Sequence, residues 1–257
     1  MTKKVITTGF QSIDNIIGGI RSDDLVVIAG KSGIGTTSFA LNIVTNNFAS
    51  NNICYLTLRD TEETIAERLY VLKESMGIKM SIVSFSIRDV SVTSEDTECD
   101  GSSIIHLPSP KLLELQRCIS FRKYDTYIID SVDWTGSKKK TIKTLAYLKL
   151  MAEALSRPII ALASADKYIE PKSILTGRDV NDRCVADLLL QIDRPCWTPM
   201  KFDDDDETEL DNFDEYYSAC EEKETLVIIS RPNKPRNQHV GLTFFPKTGQ
   251  FKEPTKP

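Results

Sequence analysis

The sequence predicts an α/β fold with a mostly parallel central sheet flanked by helices. Three observations point there. Seven short apolar runs, each bounded by polar or turn residues, are spread along the chain. They are nearly continuous in apolar character rather than alternating, as strands are when both sheet faces are covered. Between several of them, apolar residues recur with the helical period of three to four.

The runs are LVVIAG (25–30), ICYLTL (53–58), SIIHL (103–107), TYIID (126–130), PIIALA (158–163), DLLLQI (187–192) and TLVIIS (225–230). After the first, Phe39 and Ile43, then Ala40, Val44 and Phe48, repeat at i, i+4 on a helix opening near Thr36. In TEETIAERLYVLKESMG, Ile65, Leu69 and Leu72 share a face, and Gly77 suits a helix end. KTIKTLAYLKLMAEALSRP places Ile142, Leu145, Leu148, Ala152 and Leu155 on one face and stops before Pro158. VGLTFFPKTGQF, with Leu242, Phe244 and a turn at 247–249, predicts a closing C-terminal β-hairpin. No internal repeat or long linker divides the chain, so residues 1–257 are expected to form one domain. Residues 88–103 and 194–215 are expected to be loops.

The bulk composition narrows the class. At 257 residues, 40% hydrophobic and 27% charged, the chain is an ordinary globular one with length enough for a sizeable core. No apolar run reaches the length of a membrane span. MTKKVITTGF has lysines but no apolar stretch behind them, so no signal peptide is expected and the predicted location is cytoplasmic. The six cysteines, Cys54, Cys99, Cys118, Cys184, Cys196 and Cys220, include no C-x-x-C pair. With only two histidines, zinc spacing is absent, and free buried thiols are expected. The net charge of −5 is uneven: 203–215, DDDDETELDNFDE, carries nine acids and no base, and without them the chain would stand at +4. That run reads as a solvated loop, and the acidity of the whole does not exclude a polyanionic partner.

The candidate chemistry starts at GKSGIGTTS. A phosphate-binding loop reads G-x-x-x-x-G-K-[ST]; here Gly30 is followed after four residues by Gly35, then Thr36 and Thr37. The loop follows an apolar strand and opens a helix, so its backbone N–H groups and the helix N-terminus can cradle phosphates. The nucleotide-binding candidates are Gly30, Lys31, Ser32, Gly33, Gly35, Thr36 and Thr37. Thr37 can place a hydroxyl on Mg²⁺. Asp130, at the end of an apolar strand in YDTYIIDSVDW, can hold the same ion through water.

The order of these motifs resembles the C-terminal RecA-like motor domain of DnaB-type replicative helicases. TTGFQSIDNIIGGIRSDDLVVIAGKSGIGTTSFALNI is similar to that family's opening segment, and YIIDSVDW to its Walker B strand. LAYLKLMAEALSRPIIALASADK and DEYYSACEEKETLVIISRPNKPRNQHVGLTFFPKTGQF are similar to its later segments. The resemblance spans essentially the whole chain. It implies a RecA-like P-loop NTPase fold, ATP and Mg²⁺ as cofactors, and single-stranded DNA as partner. With six residues before Thr7, the family's helical N-terminal domain and linker helix are not expected here. The expected assemblies are therefore weak self-association or a complex with replication proteins.

Five positions depart from the family pattern, four of them with loss of the family's group. Thr36 stands where the P-loop lysine belongs. In YLTLRDT, Arg59 stands at the glutamate that polarises the attacking water, with Asp60 beside it. Ala165 replaces a glutamine after the strand-end serine. In SRPNKPR, the lysine of the trans-acting pair maps to Arg231 and the arginine finger to Asn233, which leaves Lys234 and Arg236 as substitutes. Lys31 offers another rescue, since certain deviant P-loop ATPases carry a lysine there in addition to the usual one. A charge-assisted contact such as the P-loop lysine's is worth about 1.5–3 kcal/mol, and an arginine finger about 10³–10⁵ in rate. The resulting expectation is a DnaB-like homologue with a degenerate ATP site, acting as a DNA- or replication-complex-binding module. The alternatives are an active ATP-dependent helicase or translocase using substitute basic residues, and a purely structural partner.

On the DNA side, TGSKKKTIK (135–143) follows the Walker B strand, where RecA-like motors place a DNA-facing loop. Lys138, Lys139 and Lys140 can pair with phosphates, and Trp134 can stack on a base.

Overall fold

The computed structural model describes residues 5–78, 86–87, 102–108, 110–121, 124–135, 138–164, 185–194, 223–232 and 237–254. In chain order the elements are β1 (Val5–Ile6), α1 (Gln11–Ile17), β2 (Ile20–Arg21), β3 (Leu25–Gly30), α2 (Thr36–Asn47) and β4 (Ile53–Thr57). Then come α3 (Glu62–Ser75), β5 (Ser86–Ile87), β6 (Ser103–His106), α4 (Leu112–Phe121) and β7 (Thr126–Asp130). A 3-10 turn (Val132–Thr135) leads into α5 (Lys138–Leu155), followed by β8 (Ile159–Ser164), β9 (Leu188–Asp193), β10 (Lys223–Ser230), β11 (Gln238–Phe245) and β12 (Gln250–Lys252).

Ten strands form one sheet in the order β12-β11-β10-β9-β3-β8-β7-β4-β6-β5. From β9 to β5 every pairing is parallel. This is the predicted mostly parallel sheet, and each of the seven apolar runs supplies a strand. The run at 225–230 differs in direction, since β10 is antiparallel to both β9 and β11. Its side chains alternate between buried and half-buried, but the sequence fills both sets with apolar residues and so masks the alternation.

Strand β3 is buried along its whole length. Its Val26 and Ile28 join a core with Ile13 of α1, Phe39 and Ile43 of α2, and Ile65 and Leu69 of α3. Its Leu25, Val27 and Ala29 face the other way, onto Leu115 and Ile119 of α4 and Ile142, Leu145 and Leu148 of α5. The predicted hairpin is present as β11 and β12, and its Leu242, Phe244 and Phe251 close over the α2 side. A side-chain cap sets the start of α3. The Thr61 hydroxyl accepts the Thr64 N–H at 3.3 Å, with Glu62 and Glu63 in the favourable first turn of α3. A half-buried network fixes the start of β3. The Lys149 ammonium of α5 lies 2.8 Å from the Asp187 carboxylate, whose Oδ2 also accepts the Leu25 N–H at 2.8 Å.

Helices α1 and α4 were not signalled by the apolar period. In addition, the lysine-rich stretch expected as a loop enters α5 at Lys138, because nothing in KKKTIK interrupts a helix. Cys54 and Cys118 are buried thiols, as expected. Cys99, Cys184, Cys196 and Cys220 lie outside the described residues, as do the acidic run 203–215, Ala165, Asn233, Lys234 and Arg236. Most of the two expected loops does as well.

Candidate functional site

Gly30 ends β3 and Gly35 opens α2, and the sharp turn between them needs glycine at both. A Cβ on Gly30 would sit 2.5 Å from Ile34 Cγ2 and 3.2 Å from the Ile192 carbonyl oxygen. Gly35 has φ +105°, a conformation L side chains rarely adopt, and a Cβ there would meet an Arg194 guanidine nitrogen at 2.8 Å. The loop thereby leaves its backbone close to an open cavity of about 510 Å³.

Every residue of the predicted loop site lines that cavity: Gly30, Lys31, Ser32, Gly33, Gly35, Thr36 and Thr37. Asp130 joins them from the end of β7, one strand removed from β3 across β8. Its Oδ2 accepts from the Thr37 hydroxyl at 2.8 Å and from the Tyr55 hydroxyl at 2.7 Å. Burial pushes the Asp130 carboxyl above the ordinary range, and the two hydroxyl donors hold it back only in part. Burial, with the adjacent Asp130 charge, also pushes the Tyr55 phenol well up, so Tyr55 stays protonated and donates.

Sequence reasoning missed several members of the wall. Arg194, just after β9, is buried, and its guanidinium lies 3.9 Å from the centre of the Phe244 ring. Asp133 accepts the Ser164 N–H at 2.6 Å. Burial raises the Asp133 carboxyl, while that bond and the nearby Arg59 charge draw it back. Asp60 pairs with Arg68 of α3 at 3.3 Å, both half-exposed. Arg194 and Phe244 are remote from the loop in sequence and share no fixed spacing with it, so no motif could have found them. Arg59 and Asp60 were visible only as departures from a pattern.

Among the described residues, no cluster of three or more His, Cys, Asp or Glu can hold a metal ion. A Mg²⁺ ion would thus rely on Thr37 and Asp130, with water and phosphate oxygens completing its shell. The glycine cradle and this hydroxyl–carboxylate pair fit a Mg-nucleotide, whereas the uncharged Thr36 leaves out one cation.

Residues 5–174 match the family described as the DnaB-like helicase C terminal domain. The chain belongs to the DnaB-like helicase family. A probable replicative DNA helicase of Trieres chinensis is 24% identical over 189 residues, covering 66% of this chain and 41% of that protein. The replicative DNA helicase DnaB of Rickettsia bellii is 37% identical over 70 residues, 27% of this chain and 14% of that one. The chain thus spans less than half the length of these curated relatives. Among solved structures, an ATPase domain superposes with a TM-score of 0.59 at 16% identity, covering 97% of this chain and 91% of that one. A KaiC-like protein of Pyrococcus horikoshii gives the same TM-score at 12% identity, covering 97% and 98%. At these identities the two structures establish the RecA-like fold of this DnaB-family chain.

The remaining candidates sit elsewhere. Arg231 is turned onto its own chain, where its guanidinium donates to the Ile17 carbonyl at the end of α1. The backbone of Trp134 lies in the 3-10 turn, and Lys138, Lys139 and Lys140 form the first turn of α5. The Lys140 side chain is exposed, while those of Trp134, Lys138 and Lys139 fall outside the described set. No described helix is long and apolar enough to cross a membrane.

Proposed function

We propose that this chain is a DnaB-like helicase domain with impaired nucleotide turnover, acting as a binding module on single-stranded DNA or a replication complex in the cytoplasm. The observation that carries the reading is Arg59 in the cavity wall. The family resemblance puts a water-polarising carboxylate at that position. A guanidinium carries only N–H donors and has no acceptor with which to take a proton from water. The carboxylates around it have other partners: Asp60 is paired with Arg68, and Asp130 takes two hydroxyl donors. Thr36 meanwhile offers no charge to the phosphates. Bound Mg²⁺ would supply part of the missing neutralisation, with Thr37 and Asp130 orienting it.

Calorimetry with Mg-ATP tests this. The expected dissociation constant is about 100 μM or weaker, as an order of magnitude, with no turnover above background. Low-micromolar affinity with measurable turnover overturns the proposal. Thr36→Lys is expected to tighten binding by about 10- to 100-fold, the value of one charge-assisted contact. No tightening would mean that the loop itself is closed to phosphate.

Single-stranded DNA binding has its own readout. If Lys138, Lys139 and Lys140 each meet a phosphate, the affinity falls with salt at a log–log slope of about 0.7 per contact. Replacing all three by alanine is then expected to lower that slope by about 2. An unchanged slope removes these lysines from the interface.

The competing reading, an active helicase or translocase, draws on Lys31, which is exposed and lines the cavity. DNA-stimulated turnover abolished by Lys31→Ala would establish it.

A further inference from the structure

Arg59 does more than remove a base. We propose that Arg59 supplies the phosphate-facing positive charge that position 36 lacks, so that the cavity holds the triphosphate of a nucleotide by a guanidinium on the β4 side. The inference rests on the nucleotide reading above and names the group that grips the ligand.

The placement follows from the sheet. β4 pairs with β7 so that Thr57 sits opposite Asp130. One residue on, the Leu58 N–H donates to the Asp130 carbonyl at 2.6 Å. Arg59 therefore leaves the sheet beside Asp130, and it lines the same cavity as the loop from Gly30 to Thr37. The two other arginines of that wall have assigned places. Arg68 is paired with Asp60 at 3.3 Å, and Arg194 is stacked at 3.9 Å on Phe244. Arg59 is exposed, and among the described residues no carboxylate lies within 4.0 Å of it. Asp133 is nonetheless close enough for the Arg59 charge to stabilise its carboxylate. A planar guanidinium donates two parallel N–H groups to phosphate oxygens, a stronger grip than an ammonium gives at the same place. A single residue then accounts for two properties at once: the phosphates are held, and the water beside them finds no base.

A binding cycle on the full chain tests it, with Mg-ATP and inorganic tripolyphosphate as probes. Thr36→Lys is the reference background, because its tighter binding brings further losses into range. Arg59→Ala in that background is expected to weaken both probes by about 10- to 100-fold. Arg59→Lys is expected to recover most of the loss, and Arg59→Glu to weaken binding further than alanine. The exposed position leaves the melting temperature of all three variants unchanged, which separates loss of contact from loss of fold. If the reference binds both probes and Arg59→Ala changes neither by more than twofold, Arg59 is not the phosphate contact and this inference fails alone. If neither the wild type nor the reference binds any probe, the nucleotide reading fails and takes this one with it.

Discussion

Phe39→Ala will remove about 3–5 kcal/mol of stability, the range for truncating a buried phenylalanine. Phe39 has no exposed surface and sits on the first turns of α2, directly behind the glycine loop. Its ring stacks on Phe10 at 5.2 Å with an 11° interplanar angle, and meets Phe251 edge-on at 5.3 Å and 88°. Such pairs add to the burial energy of the rings themselves. One side chain therefore joins the segment before α1, the helix of the phosphate loop and the closing hairpin. Domains of this size hold only about 5–15 kcal/mol in total, so the loss is a large share. Urea unfolding should show a lower midpoint at an unchanged slope. A loss below about 1 kcal/mol would mean that the three segments do not depend on this contact. Phe39→Leu, which keeps most of the volume, should cost much less.

Asp130→Asn will move stability the other way. The wild-type carboxyl is buried and pushed above its ordinary range by that burial. A group whose folded pKa is raised binds its proton more readily in the native state than in the unfolded chain. The fold therefore gains stability as pH falls from above the raised value towards the ordinary 3.8, and forfeits it as pH rises. An asparagine has the same shape and no charge to desolvate, and its carbonyl oxygen can take the Thr37 and Tyr55 hydroxyls that now reach Oδ2. The expected gain near neutral pH is about 0.5–2 kcal/mol, shrinking as the solution is acidified. Urea midpoints across pH 4 to 8, taken as approximate bounds around the shift, give the answer. A destabilised Asp130→Asn at neutral pH would mean that the anion, not just the oxygen, is required by the fold. Stabilisation would mark Asp130 as held at a cost for something other than folding, as ligand sites commonly are.

Much of the fold was legible because the sheet is covered on both sides. That gives its strands a continuous apolar signature, and all seven such runs became strands. Direction was not legible: β10 carries the same signature as its parallel neighbours, and only its pairing separates them. The short α1 buries just Ile13 and Ile17, too few positions to fix a period. The loop residues and Asp130 were legible because their chemistry requires a fixed local spacing. Arg194 and Phe244 were not, because the sheet's strand order rather than sequence distance brings them to the cavity beside the loop.

That strand order has one more consequence. The loop strand β3 and the aspartate strand β7 are not neighbours; β8 lies between them. The distance across the cavity floor is therefore two hydrogen-bonded strand spacings, about 9.5 Å. No side chain sets this width. The sheet acts as a ruler, and its graduations are backbone hydrogen bonds that do not register which residue occupies position 36 or 59. A chain can exchange every reactive group around such a slot and keep the slot to size. Restoring or redirecting its chemistry is then a matter of side chains alone, with no change of backbone.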